Sequence, residues 1–112
     1  MSNTIKNLNN SNRVCKILKI EKPLIQGPMF WLTDAKLVAA VSEAGGLEVL
    51  GPYARQNSLP KDDIERAERM QKEIRKVKEL TSKPFGINIF HSCQNPDIQL
   101  ELRKSSICCS YL

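Results

Sequence analysis

Four places in this 112-residue chain carry residue types that could do chemistry. Gly27-Pro28-Met29 turns the backbone sharply after a short apolar run, Pro23-Leu24-Ile25-Gln26. With no Cβ at Gly27, the main chain there can lie close to a flat ligand. On residue types alone the same tripeptide is also a plain strand-ending turn with Met29 as packing, since methionine usually fills space. Asn88 interrupts an apolar run, Phe85-Gly86-Ile87-Asn88-Ile89. A buried amide needs partners for its oxygen and its nitrogen, which a ligand edge or neighbouring backbone can supply. Glu48 puts a carboxyl inside the apolar stretch Leu47–Leu50. Covered on both faces, that carboxyl is desolvated and its pKa rises toward the neutral form. At a strand mouth it stays partly wet. His91, Cys93 and the pair Cys108-Cys109 can be drawn as a zinc site, but their spacing matches no C-x₂-C or H-x₃-H arrangement. No metal site is expected.

The elements that must position these residues follow from periodicity. Pro23–Gln26 reads as a first, buried strand, since a parallel strand tolerates proline at its start. Thr33 is predicted to cap a helix with Asp34 in its first turn. Leu37, Val38, Val41 and Ala44 form that helix's apolar stripe. Gly45-Gly46 ends the helix, and Leu47–Leu50 resumes an extended path. Gly51-Pro52 closes this second strand, and Tyr53–Pro60 is a polar loop. Asp62–Leu80 is the longest helical signal, with Ile64, Ala67, Met70, Ile74, Val77 and Leu80 on one face. Asp62 and Asp63 suit its N-terminal end. Pro84–Phe90 is the third strand. The order β-α-β-α-β predicts an α/β fold with parallel strands and right-handed helical crossovers. Pattern alone does not choose between a barrel and an open doubly wound sheet.

Composition narrows the class. Hydrophobic residues make up 41% and charged residues 26% of the chain, as in soluble globular domains. No apolar run approaches the ~20 residues needed to span a bilayer. The N-terminus has no apolar core of a secretory signal, so a cytoplasmic home with reduced cysteines is expected. Residues 1–12 hold five asparagines, and 1–13 read as a flexible leader. Of the net charge of +5, Lys61–Lys83 carries +2, eight basic residues against six acidic ones, with Glu65, Glu68, Glu73 and Glu79 interleaved. That mixture is a solvated helix face, not a nucleic-acid surface.

Three stretches, PLIQGPM, LVAAVSEAGGLEVLG and KELTSKPFGINIF, stand in an order and spacing that resemble the start of the flavin-dependent nitronate monooxygenases, formerly 2-nitropropane dioxygenases. The flavin-type enoyl-acyl-carrier-protein reductases share this opening. The resemblance implies the N-terminal portion of a TIM (β/α)₈ barrel over residues 14–90, with a small helix in Val14–Ile20. It also implies truncation, because a whole barrel needs about 250 residues. Residues 91–112 do not resemble the family's next units and have the look of a frame change or premature stop.

By resemblance, FMN lies across the C-terminal strand ends. The backbone of Gly27, Pro28 and Met29 contacts its ring system, and Asn88 hydrogen-bonds it. The family carries glycine where this chain has Glu48. The family's active-site histidine falls outside this chain, so no catalytic residue is assigned and His91 does not take that role. The implied reaction is oxidation of an alkyl nitronate by O₂ to a carbonyl compound and nitrite. The long second crossover, Gly51–Thr81, fits this branch better than the reductases, which use NADH to reduce a C=C bond. A third reading is a catalytically inert fragment that self-associates through exposed sheet edges. Neither a nucleic-acid nor a membrane partner is expected.

Overall fold

The computed structural model describes residues 12–51, 53, 57–88 and 107–109. In chain order the elements are α1 (Arg13–Leu18), β1 (Ile25–Gln26), α2 (Ala35–Glu43), β2 (Leu47–Leu50), α3 (Asp63–Leu80), β3 (Gly86–Asn88) and β4 (Ile107–Cys109). The short α1 is the small helix that the resemblance implies. Asn12 caps it by accepting the Val14 N–H, and Lys19 closes it in the left-handed conformation.

β1 is shorter than Pro23–Gln26. Pro23 has no N–H to give a ladder, and the preceding amides of Glu21 and Lys22 both donate to Gly45 O at 2.9 Å. The cap of α2 is Asp34, not Thr33. Asp34 Oδ1 accepts the Leu37 N–H at 2.9 Å. Thr33 is unavailable because its hydroxyl accepts the Met29 N–H at 2.8 Å. The buried stripe of α2 is Ala35, Val38, Ala39 and Ser42, and Ala44 at the C-cap is exposed. Gly45 then takes φ +96°, a backbone that side chains rarely adopt. Gly45 N–H donates to Ser42 O and Gly46 N–H to Val41 O, the paired bonds of a Schellman ending.

Asp62 caps α3 by accepting the Glu65 N–H. Ala67, Met70, Ile74 and Val77 are buried as the periodicity predicts, while Ile64 and Leu80 at the two ends are exposed. Glu73 joins the buried stripe. Its Oε2 accepts the Ala35 N–H at 3.2 Å, so a carboxylate of α3 satisfies the first turn of α2.

All strand pairs are parallel, in the order β1-β2-β3-β4. That order decides between the two folds the sequence left open. A doubly wound sheet reverses direction after its first strands, whereas a barrel adds each new strand beside the last. Four strands in sequential order follow the barrel rule. β4 corrects the reading of the tail: Ile107-Cys108-Cys109 pairs with Gly86, Ile87 and Asn88. A run of three residues is too short to show alternation in sequence. His91 and Cys93 lie outside the described residues.

The register divides the polar residues between two faces. Leu50 and Ile87 are partners and pack with Ala35, Val38, Met70, Ile74, Val77 and Phe85 in the layer under α2 and α3. Side chains alternate along a strand, so Glu48 shares this helix-side face. Leu47, Val49, Gly86 and Asn88 point the other way, toward what is the interior in a barrel. Cys15 and Ile20 cover Leu47 on that side.

Candidate functional site

The C-terminal ends of β1, β2 and β3 lie side by side. Leu50 and Ile87 are in register, so Gly51 and Asn88 follow as neighbours at the strand mouths. Gly51 in turn lies against the turn after β1. A Cβ built on it would meet Pro28 Cβ at 3.0 Å. Gly51 therefore lets the Gly27–Met29 turn sit on the end of β2. The structure thus brings Gly27, Pro28, Met29 and Asn88 to one end of the sheet, across a span of two interstrand spacings, roughly 10 Å.

The turn is held from beneath. Thr33 is wholly buried. Its hydroxyl accepts the Met29 N–H, and the N–H groups of Leu32 and Thr33 both donate to Met29 O at 3.1 Å. Both peptide groups of Met29 are fixed in this way, while its side chain is 40% exposed. Gly27 has no atom within 4 Å of the place a Cβ would occupy, so its backbone is open on that side.

Asn88 is half-buried, and its Oδ1 is buried without a hydrogen-bond partner. An orphaned buried acceptor is uncommon in a folded chain. Here it sits on the interior face at a strand mouth. Neighbouring backbone does not satisfy it.

Glu48 is wholly buried, and neither carboxyl oxygen accepts a hydrogen bond. Burial pushes its pKa up to about 7, and the nearby Thr33 hydroxyl offsets part of the rise. The first of the two expectations for this residue therefore holds, and the partly wet strand mouth does not.

Sequence reading missed an aromatic cluster beside the turn. Phe30 and Trp31 pack edge to face at 4.8 Å between ring centroids. Tyr53, from the loop after β2, lies 4.7 Å from Phe30 and 5.6 Å from Trp31. The Arg66 guanidinium stands 5.7 Å from the Tyr53 centroid. Trp31 has φ +68°, a left-handed backbone that costs a non-glycine residue roughly 1–2 kcal/mol. The available signal was the unusual Phe30-Trp31 pair directly after a strand-ending turn.

Among the described residues no group of three or more His, Cys, Asp or Glu side chains could hold a metal ion. No described helix is long and apolar enough to cross a membrane.

Sequentially ordered parallel strands with helical crossovers define a segment of a TIM-barrel protein. Comparison with known proteins makes this specific. The family model "Nitronate monooxygenase" matches residues 11–107, a stretch that continues past Phe90 into the tail. The chain belongs to the nitronate monooxygenase family. A probable nitronate monooxygenase of Staphylococcus aureus strain JH9 is 38% identical over 81 residues, covering 72% of this chain and 20% of that protein. Its counterpart in strain Newman matches equally. FabK from Thermotoga maritima, an enoyl-acyl-carrier-protein reductase, superposes with a TM-score of 0.66 at 30% identity, over 88% of this chain and 29% of FabK. The chain thus spans about a fifth of the length of the curated relatives it matches. Its lineage is that of flavin-dependent oxidoreductases.

Proposed function

We propose that this chain carries the first part of an FMN site belonging to a nitronate monooxygenase. Gly27, Pro28 and Met29 would present backbone dipoles to the flavin ring, and Asn88 would hydrogen-bond its polar edge. One observation carries the reading: Asn88 Oδ1 is buried and without a partner, at the strand mouth beside Gly51 and the turn. The residues fit a flat heteroaromatic ligand with N–H and C=O groups at its rim. Asn88 can accept at Oδ1 and donate from Nδ2. The open side of Gly27 leaves its backbone approachable.

When bound, FMN supplies electron acceptance from an anionic nitronate and delivery to O₂, giving a carbonyl compound and nitrite. This chain's residues contribute placement. Thr33 fixes the Met29 peptide groups, Gly51 admits the turn, and Asn88 sets the orientation of the ring in its plane. The aromatic cluster walls one side of the mouth and limits water there.

The test is titration of the purified chain with FMN, followed through Trp31, the only tryptophan. Quenching with a saturable endpoint and yellow colour retained on desalting are the expected results. Asn88→Leu should weaken binding by tenfold or more. It should leave the free chain as stable or more so, because a buried unpartnered acceptor costs about 1–3 kcal/mol. If the variant binds FMN as the natural chain does, Asn88 is not a contact. If neither retains flavin, the reading of the chain as an inert fragment takes over.

The superposition on FabK supports a second reading, a flavin-dependent enoyl-acyl-carrier-protein reductase. Oxygen uptake driven by nitronate, set against NADH oxidation driven by an enoyl thioester, separates the two in a full-length relative.

A further inference from the structure

We propose that Phe30, Trp31 and Tyr53 form a substrate subsite, which takes an aryl or extended alkyl substituent of a planar monoanion bound at the strand mouth. This rests on the reading of the Met29 turn as a flavin contact and names the class of substrate that such a site selects.

Three rings from two loops meet at this end of the sheet. Phe30 and Trp31 follow Met29 directly, and Tyr53 comes two residues after Gly51. The close approach of Gly51 to Pro28 brings the two loops together, so the rings continue the surface of the Gly27–Met29 turn. Phe30 links the group, with its centroid 4.8 Å from Trp31 and 4.7 Å from Tyr53. At such separations aromatic pairs attract beyond the area they bury.

The group is not core. Phe30 is 58% exposed and Trp31 37%, and neither belongs to a buried apolar cluster. Contiguous apolar surface left in water marks a contact site or a ligand groove. This surface is also held rigid from both sides. The Arg66 guanidinium stands 5.7 Å from the Tyr53 centroid, and Arg66 is itself anchored to Asp63 at 2.7 Å at the start of α3. The N–H groups of Leu32 and Thr33 close on Met29 O, which encloses Phe30 and Trp31 in a hydrogen-bonded loop. That closure holds Trp31 at φ +68°. Strain of this kind persists only where the surroundings over-determine it, and it gathers at ligand clamps.

Chemistry selects the occupant. The Arg66 cation against Tyr53 disfavours a quaternary ammonium group, the usual guest of an aromatic cage. An uncharged aryl or alkyl group stacks on Phe30 and Trp31 without that penalty. Continuity with the turn favours a group carried by a ligand already in the mouth.

The probes are acetate, hexanoate and phenylacetate, planar monoanions that stand in for nitronates bearing the same substituents. Each is titrated into the full chain with and without FMN and followed by the NMR shift of the Trp31 indole N–H, the only tryptophan. Hexanoate and phenylacetate should bind roughly tenfold or more tightly than acetate, the usual effect of added apolar groups in a pocket. Phe30→Ala and Tyr53→Ala should each cut that preference to about threefold or less, and Tyr53→Phe should keep it. Ile17→Ala, which trims an equally exposed apolar side chain on α1, should leave it unchanged. Amide spectra with natural dispersion confirm that the variants fold.

Equal or undetectable affinity for the three carboxylates overturns the proposal. So does a preference that both alanine variants retain. A dimer in sedimentation that Phe30→Ala dissociates also overturns it, because a second copy then covers the rings. If FMN is not bound while the preference holds and follows the rings, the flavin reading fails and the apolar subsite stands. If FMN binds and the carboxylates are not distinguished, the flavin reading stands and the subsite falls.

Discussion

Replacing Glu48 with glutamine removes a proton-binding group from the centre of the sheet while keeping its volume, and the energetic consequence can be worked out in sign and size. In the unfolded chain the carboxyl titrates near 4.5, and in the folded chain burial lifts it to about 7. Below pH 4.5 both states hold the proton and the residue costs nothing extra. Between those values the folded state still holds a proton that the unfolded state has released. Stability therefore falls as pH rises through this window and levels off above about 7. The gap between the two values corresponds to about 3 kcal/mol when converted at 1.36 kcal/mol per pH unit, an upper figure. That is a large share of the 5–15 kcal/mol typical of a whole domain. Urea unfolding of both proteins at pH 5, 6, 7 and 8 measures it. The variant should gain on the natural chain steadily across the series, by up to about 3 kcal/mol at pH 8. Glu65, whose carboxyl is held below its ordinary value by the Lys61 N–H and then Arg69, changes stability with the opposite sign and only at lower pH. It is present in both proteins and cancels in the difference. A stability difference that does not vary with pH would refute the reasoning, because it would mean that Glu48 is solvated or already paired.

Gly51→Ala puts a methyl group 3.0 Å from the rigid Pro28 ring. It should cost about 1–3 kcal/mol by overpacking and weaken FMN binding through displacement of the turn, both measurable in one series of titrations and melts. Glu73→Ala leaves the buried Ala35 N–H without its acceptor. It should destabilise the chain by about 1–3 kcal/mol in urea, and Glu73→Gln, which keeps an acceptor, should cost less. Asp34→Ala removes the cap of α2 and should cost about 1 kcal/mol, whereas the same change at a mere first-turn residue would cost a few tenths.

α2, α3 and the second and third strands were legible because each carries a strong period or a strong stop, while α1 came from the family resemblance alone. α3 announces itself by five turns of apolar spacing, and Gly45-Gly46 ends α2 because only glycine takes φ +96° readily. What was not legible turned on which of two neighbours makes a bond. Thr33 and Asp34 are both good caps, and only the tertiary demand of the Met29 N–H assigns Thr33 to the turn and Asp34 to the helix. Glu73 reads as a solvated charge because sequence cannot show the N-terminus of α2 arriving against it. β4 was missed because its pairing is with a strand some twenty residues earlier, and three apolar residues have no period of their own. At the candidate site, Gly27, Pro28, Met29 and Asn88 are assigned through the family resemblance, and the structure shows their place at one end of the sheet. The aromatic cluster requires two loops to meet and no single loop shows it.

Strand alternation finally separates two polar residues that look alike in sequence, each a hydrophilic interruption of an apolar strand. Glu48 and Leu50 share a face, and Leu50 packs under the helices. Glu48 is therefore sealed in the helix layer, where a ligand at the mouth cannot touch it. Asn88 shares its face with Gly86 and lies beyond Ile87 at the strand end, on the opposite side, where the mouth opens. Its orphaned oxygen lies at that end of the strand, while the orphaned oxygens of Glu48 are sealed under the helices. The two polar residues are thus placed on opposite faces by one residue of register. A shift of β2 by a single position against β1 and β3 would turn Glu48 to the interior face and leave Asn88 where it is.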